Sequence, residues 1–397
     1  MNTAQPINQN SRIVIIDVIR GSALLGVLVA NLTGFINFAL PEDKAALLTT
    51  TRTDKITEHF ISLFIEGKFI TIFSMLFGYG FGVLMERVTQ RGMKADLFFI
   101  RRMIILLIFG LIHLAVWWGE ILNVYAMAGL LLMPFRKLKT KNLLWLGLCL
   151  FLVAGPLIQA FKIMFLPPVG DRLNLLLARY EDSMLSADIL AVIKANYSMV
   201  VFLFVERWSQ WRDVLEALGK FLLGYYIFRS GYLVNLQANI SLIKKVFRIA
   251  LVVALLYLIK RTVLEIFGLT PAGRAFSIAD YIFSNIGILA LSLVYCSVII
   301  QLYHRRQNLW IFKGLSSIGM MSLTNYLTQT LFYSLFFYGS GFGMIGKLHM
   351  QWVLPLGISL FAVQMLFSLF WMRRFQYGFA EWIWRMLSYN KYIAIKK

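Results

Sequence analysis

The chain has 397 residues, of which 59% are hydrophobic and only 15% charged, where a soluble globular domain carries about 25% charged residues. A mean hydropathy of +0.72 leaves too little polar surface to face water, which excludes a soluble domain. The net charge of +20 then reads as membrane topology and not as nucleic-acid binding, because polytopic chains keep Lys and Arg in cytoplasmic loops against anionic lipid. The apolar runs are continuous, without the alternation of outer-membrane strands. Cys149 and Cys296 both lie inside such runs, so neither a disulfide framework nor a thiolate metal site is expected. What remains is an all-α, polytopic, multi-pass protein of the cell (inner) membrane, with the lipid bilayer as its main partner.

Residues 1–12 form a short polar tail, and the apolar stretch 13–38 that follows ends in no small-residue cleavage site, so it reads as a retained helix. Further stretches near the 20 residues that a span needs are 69–86, 102–118, 121–135, 143–161, 214–228, 242–259, 281–302, 315–338 and 352–371. Together they predict about ten transmembrane helices in one domain, 13–373, with both termini cytoplasmic. The charges agree: Arg87, Arg91, Lys94, Arg101 and Arg102, then Arg136, Lys137, Lys139 and Lys141, then Lys244, Lys245 and Arg248 fall on one side, and most acidic residues on the other. A long outer loop is expected at about 162–212. Within it Ile189–Val205 is apolar but interrupted by Lys194 and Asn196, and making it a span would put Lys244, Lys245 and Arg248 outside; it reads as interfacial or re-entrant. The last segment, 374–397, mixes Tyr377, Trp382, Trp384 and Tyr389 with Arg385 and Lys391, as an amphipathic helix on the inner membrane face does.

Ionisable groups inside a bilayer are costly, so each is a candidate site. Asp17 and Arg20 are three apart on one face of the first helix. They form either a self-neutralising, snorkelling pair or a guanidinium fork for a phosphate or carboxylate, held in place by Asp17. Of four histidines only His113 falls within a span, and Glu120 follows in a short turn. A His beside a carboxylate is the minimal general-base pair, although seven residues of separation require the turn to fold back; the plainer alternative is a hydrogen-bonded structural His. Asn31, Asn123, Tyr125, Asn325, Tyr326 and Gln329 supply uncharged hydrogen-bonding groups, which serve either as glue between helices or as ligand contacts. Gly78, Gly80 and Gly82 resemble a nucleotide loop but lie within a span, where close packing is the better reading. No metal-spaced cluster and no motif for a tightly bound cofactor occurs.

Four groups of residues together resemble a known family: Arg12…Asp17-Val-Ile-Arg20-Gly21…Asn31; Arg101-Arg102…Gly110-Leu-Ile-His113…Trp118-Gly-Glu120…Tyr125; Gly319-Met-Met-Ser-Leu-Thr-Asn325-Tyr326-Leu-Thr-Gln329; and Phe375…Glu381-Trp-Ile-Trp-Arg385…Tyr389. They are similar to the YeiB-like membrane proteins, whose domain is the domain of unknown function 418. The D-x-x-R-G opening and the paired arginines also resemble, more distantly, the transmembrane acyltransferases: acyltransferase family 3 and the heparan glucosaminide acetyltransferases. That resemblance implies about ten helices that pass an acyl group from cytoplasmic acyl-CoA, a co-substrate, to a hydroxyl or amine of a glycan or lipid acceptor on the far side. It implies that Arg20, Arg101 and Arg102 bind phosphates beside Asp17 and that His113 with Glu120 deprotonates the acceptor. Asn31, Tyr125 or Asn325 would polarise the thioester carbonyl, with Gln329 on the same helix face as Asn325. Asn31 stands where acyltransferase family 3 has a His, which leaves His113 as the buried histidine at a suitable depth. The rival expectation is a transporter of a small or lipid-like solute, in which the same groups line a path; a membrane protein with no turnover is the third.

Overall fold

The structure, a computed structural model, describes residues 13–37, 51–166, 172–234, 236–268 and 274–397; the expected tail 1–12 lies outside them. The described chain is helical: α1 (Val14–Asn37), α2 (Arg52–Phe64), α3 (Lys68–Gln90), α4 (Ala95–Leu114), α5 (Leu122–Leu132), α6 (Thr140–Phe165), α7 (Arg172–Leu185), α8 (Ile189–Val201), α9 (Ser209–Arg229), α10 (Leu236–Ile266), α11 (Arg274–Arg306), α12 (Trp310–Met320), α13 (Ser322–Phe337), α14 (Val353–Arg374) and α15 (Phe379–Tyr389). The one β contact among the described residues is an isolated antiparallel bridge between Phe375 and Lys396, which turns the C-terminal segment back on itself.

Seven segments among the described residues are long and apolar enough to cross a bilayer. They include the expected spans at α1, α3, α4, α6, α11 and α14, and also Ile189–Glu206, expected as interfacial. The expected spans at 121–135, 214–228 and 242–259 form helices that fall short for different reasons. Helix α5 has 11 residues, α9 carries Arg212, Asp213, Glu216 and Lys220, and α10 carries Lys244, Lys245 and Arg248 in its first half and Lys260 and Arg261 in its second. The expected span 315–338 is two helices, α12 and α13, broken at Met321. Helix α2 has no counterpart among the expected elements because its polar and apolar residues alternate at helical spacing; it starts with a reciprocal cap between Thr51 and Asp54. The expected loop 162–212 is largely helical, through α7 and α8.

Helix α1 is the hub, with Val18, Leu28 and Leu32 fully buried. Small residues set its approach to α12: a Cβ on Gly21 would lie 2.0 Å from the Leu315 carbonyl oxygen, and one on Gly319 would lie 1.9 Å from that of Asp17. The same device joins α3 to α9, where Gly78 faces the Phe221 carbonyl and Gly224 that of Met75. A branched side chain at Gly21 has to force two backbones apart. Gly21→Val is therefore expected to destabilise the protein by about 3 kcal/mol in detergent thermal melts, whereas Gly80→Ala, where a Cβ meets nothing within 4 Å, leaves the midpoint unchanged.

Cross-links identify the two ends of the bundle. At one end Tyr225 and Arg229, near the end of α9, donate to the Arg136 carbonyl at 3.0 and 3.4 Å, and Arg136 pairs with Asp96 at the start of α4. At the other, Asn196 of α8 accepts from the Trp118 N–H at 2.9 Å and donates to the Ala115 carbonyl at 3.3 Å, which ties α8 onto the far end of α4.

Candidate binding cavity

A cavity of about 290 Å³ lies between α1, α3, α4, α5, the α12–α13 break and α15. Its lining sorts by depth. One end carries Asp17, Arg20, Arg87, Arg102, Glu381 and Arg385; the walls are apolar, with Leu24, Phe73, Phe77, Phe81, Met103 and Leu106; Tyr125 and Tyr326 line the uncharged part. Four arginines against two carboxylates give the rim a positive excess, which in an apolar surrounding favours a ligand with an anionic head and an apolar tail.

Arg20 and Asp17 meet as their three-residue spacing predicts, Nη1 to Oδ1 at 3.2 Å. Arg102 sits over the Trp384 ring, its guanidinium carbon 3.6 Å from the centroid. The Trp384 indole in turn donates to the Arg102 carbonyl at 3.0 Å, so α15 is pinned to α4 by both faces of one residue. Glu381 of α15 accepts from the backbone N–H groups of Leu323 (2.6 Å) and Thr324 (3.2 Å) and from the Thr324 hydroxyl (2.6 Å). It thereby caps α13, whose interrupted start leaves orphan donors at the cavity. Burial pushes the Glu381 carboxyl up from its ordinary range, against the pull of these hydrogen bonds. The amphipathic tail therefore closes the charged end of the cavity with one face and leaves Phe379 and Leu387 exposed on the other.

Deeper in, the Tyr125 hydroxyl is 2.6 Å from Ser74 Oγ. The Tyr326 hydroxyl accepts from the Ile121 N–H at 3.4 Å, and its ring packs on His113 with centroids 5.4 Å apart. His113 is one ring removed from the cavity and not part of its lining. Neither of its ring nitrogens has a hydrogen-bond partner among the described residues, and the same holds for Asn123 Oδ1 and Gln329 Oε1. Glu120 does not partner His113. Its two carboxylate oxygens accept from the N–H groups of Leu122 and of Asn123, the latter at 3.0 Å, and cap α5. The turn does fold back, but it delivers the carboxylate to a helix start and not to the imidazole.

The other expected site residues separate. Asn325 donates to Ser368 Oγ at 3.1 Å and Gln329 to Gln364 Oε1 at 2.8 Å, while Gln364 donates to the Asn325 carbonyl at 3.1 Å. They form a polar ladder between α13 and α14, outside the cavity. Arg101 is exposed and Asn31 half-buried, and neither lines the cavity. The rim residues Arg87, Glu381, Trp384 and Arg385 were not among the expected site residues. Glu381, Trp384 and Arg385 stand in the last of the four groups that carry the resemblance, and the four-residue spacing of Glu381 and Arg385 on an amphipathic helix pointed to them as well. No group of three or more potential metal ligands occurs among the described residues.

Residues 227–391, which include the α12–α13 break and all of α15, match the family described as "Protein of unknown function (DUF418)". The family match is confined to those residues, and the likeness to individual relatives extends over nearly the whole chain. It is 27% identical to "Uncharacterized protein YeiB" of Escherichia coli over 95% of this chain and 96% of that protein. It is 28% identical to "Uncharacterized protein YxaH" of Bacillus subtilis over 100% and 99% of the two chains. A third relative, "Uncharacterized 39.9 kDa protein in amylase 3'region" of Bacillus acidopullulyticus, is 28% identical over 98% of this chain and 97% of its own. No solved structure matches.

Proposed function

We propose that this multi-pass protein is a transmembrane acyltransferase of the inner membrane that receives acyl-CoA at its arginine rim, on the cytoplasmic side. The observation that carries the reading is a single cavity that runs from Arg20 and Arg102 to Tyr125 and Tyr326, with His113 packed directly behind Tyr326. Phosphates rest on the rim arginines, and the arm and acyl chain follow the apolar wall. About 290 Å³ is at the small end for a ligand pocket, so the nucleotide stays at the rim. The Tyr125 hydroxyl is placed to hydrogen-bond the thioester oxygen. An acceptor hydroxyl or amine of a glycan or lipid arrives from the opposite end. As its oxygen or nitrogen bonds to the acyl carbon the C–S bond breaks, and the acceptor's proton passes to the departing thiolate by way of His113, which the acceptor reaches past the Tyr326 ring that covers it.

The α12–α13 break favours a second reading, a transporter of an anionic amphiphile, because transporters aim the start of a broken helix at an anionic substrate. Calorimetry with CoA and acyl-CoA, alongside thioester loss, on purified protein tests both. The acyltransferase reading expects binding and slow hydrolysis. Binding with the thioester left intact favours transport, and no binding of CoA overturns both roles for this ligand.

A further inference from the structure

The charged end of the cavity already holds an anion, and it is the protein's own. Helix α13 starts at Ser322 behind Met321, whose side chain makes no capping hydrogen bond. An ordinary helix start is capped by the residue at the N-cap itself. Here the acceptor comes from another helix: Glu381 Oε1 takes the N–H groups of Leu323 and Thr324 at 2.6 and 3.2 Å, and Oε2 takes the Thr324 hydroxyl at 2.6 Å. The backbone leaves room for it. A Cβ on Gly378, at the joint before α15, would lie 2.2 Å from Glu381 Oε2 and 2.7 Å from Thr324 Oγ1, so a side chain there pushes the carboxylate out of its seat.

That seat faces the cavity, whose lining includes Ser322, Leu323 and Glu381 together with Arg20, Arg102 and Arg385. A carboxylate that offers two oxygens to two N–H groups and a hydroxyl, at the arginine-rich end of an apolar cavity, does what the head of an anionic ligand does there. The two therefore compete for one place. The carboxylate has the advantage of its tether, which gives it a high effective concentration. A phosphate monoester has the advantage of charge, about −1.5 to −2 at neutral pH. Burial pushes the Glu381 carboxyl up, so its ionised form is less stable in this seat than in water, which eases the exchange.

We propose that Glu381 is a built-in competitor for the cavity's anionic ligand: a phosphate-headed amphiphile enters by displacing this carboxylate from the α13 start and taking over its hydrogen bonds. The inference rests on the cavity being a site for an anionic amphiphile, and it holds for acyl-CoA and for any other phosphate head alike. A resident competitor weakens every anionic ligand by the same factor and leaves a neutral one with the same tail untouched. Calorimetry on the full chain in a non-ionic detergent, with octyl phosphate, octanol and CoA as probes, tests it. Glu381→Gln, which keeps an acceptor for the two N–H groups, is expected to bind octyl phosphate about tenfold more tightly than the parent. Gly378→Ala, which keeps the charge but fills the room of Oε2, is expected to tighten it as well. In the parent, octyl phosphate is expected to shift a carboxylate band in infrared difference spectra, and Glu381→Gln to lack that shift. Unchanged or weaker binding in Glu381→Gln makes the residue a helix cap and no more. A gain there without the infrared shift in the parent reduces it to like-charge repulsion, and an equal gain for octanol overturns competition between anions. Gains for octyl phosphate with no binding of CoA leave the competitor standing and overturn the acyl-CoA reading alone, whereas no binding of octyl phosphate by any form overturns both.

Discussion

Arg102→Lys is expected to lower affinity for CoA and its thioesters about 10- to 100-fold while the protein inserts and folds as before. The guanidinium of Arg102 lies 3.6 Å above the Trp384 ring, and both side chains line the cavity. A lysine keeps the charge that anchors the helix but has neither plane nor fork. Losing one charged hydrogen bond of the pair is worth about 1.5–3 kcal/mol, which sets the fold-change. Arg101→Lys is the matched control, since Arg101 is exposed and outside the cavity. Calorimetry, or thermal shift with and without ligand, reads both. Equal effects of the two substitutions would reduce the arginine pair to a membrane anchor. Arg20→Lys is expected to act in the same direction, because its fork is held by Asp17 at 3.2 Å.

The membrane helices were legible where the chain is uniformly apolar. Helices α1, α4, α6 and α14 fall on their predicted stretches because some 20 apolar residues have few other folds in a bilayer. The break at Met321 was not legible, since 315–338 contains no charged residue and no proline, and the new helix start is capped by Glu381 from 57 and 58 residues further on. The role of α15 was half legible. Its amphipathic pattern announced an interfacial helix, but only packing reveals that its polar face closes a cavity. The Asp17–Arg20 contact followed from helical spacing alone, whereas the expected His113–Glu120 pair rested on a turn whose geometry no spacing rule fixes. Asn325 and Gln329 show the opposite case. Their four-residue spacing does put both on one face, and the groups they meet there are Ser368 and Gln364 of a neighbouring helix.

His113→Ala is expected to cut acyl transfer about 10²- to 10⁴-fold with little loss of folded protein, and His113→Gln to be as slow. The imidazole is buried with both nitrogens unpartnered among the described residues, so no hydrogen bond within the fold depends on it. Glutamine restores hydrogen-bonding capacity and cannot shuttle a proton, which makes it the sharper substitution. The committed position of Glu120 adds a second arm. Because its carboxylate caps α5 and does not touch the imidazole, Glu120→Gln is expected to leave the rate within a few-fold of the parent. It should instead destabilise the protein by about 1 kcal/mol, since an amide replaces one acceptor with a donor at a helix start. Rates and thermal midpoints measured on the same preparations separate the two roles. A full rate in His113→Gln would make His113 a packing partner of Tyr326, and a rate collapse in Glu120→Gln would restore the carboxylate to the chemistry.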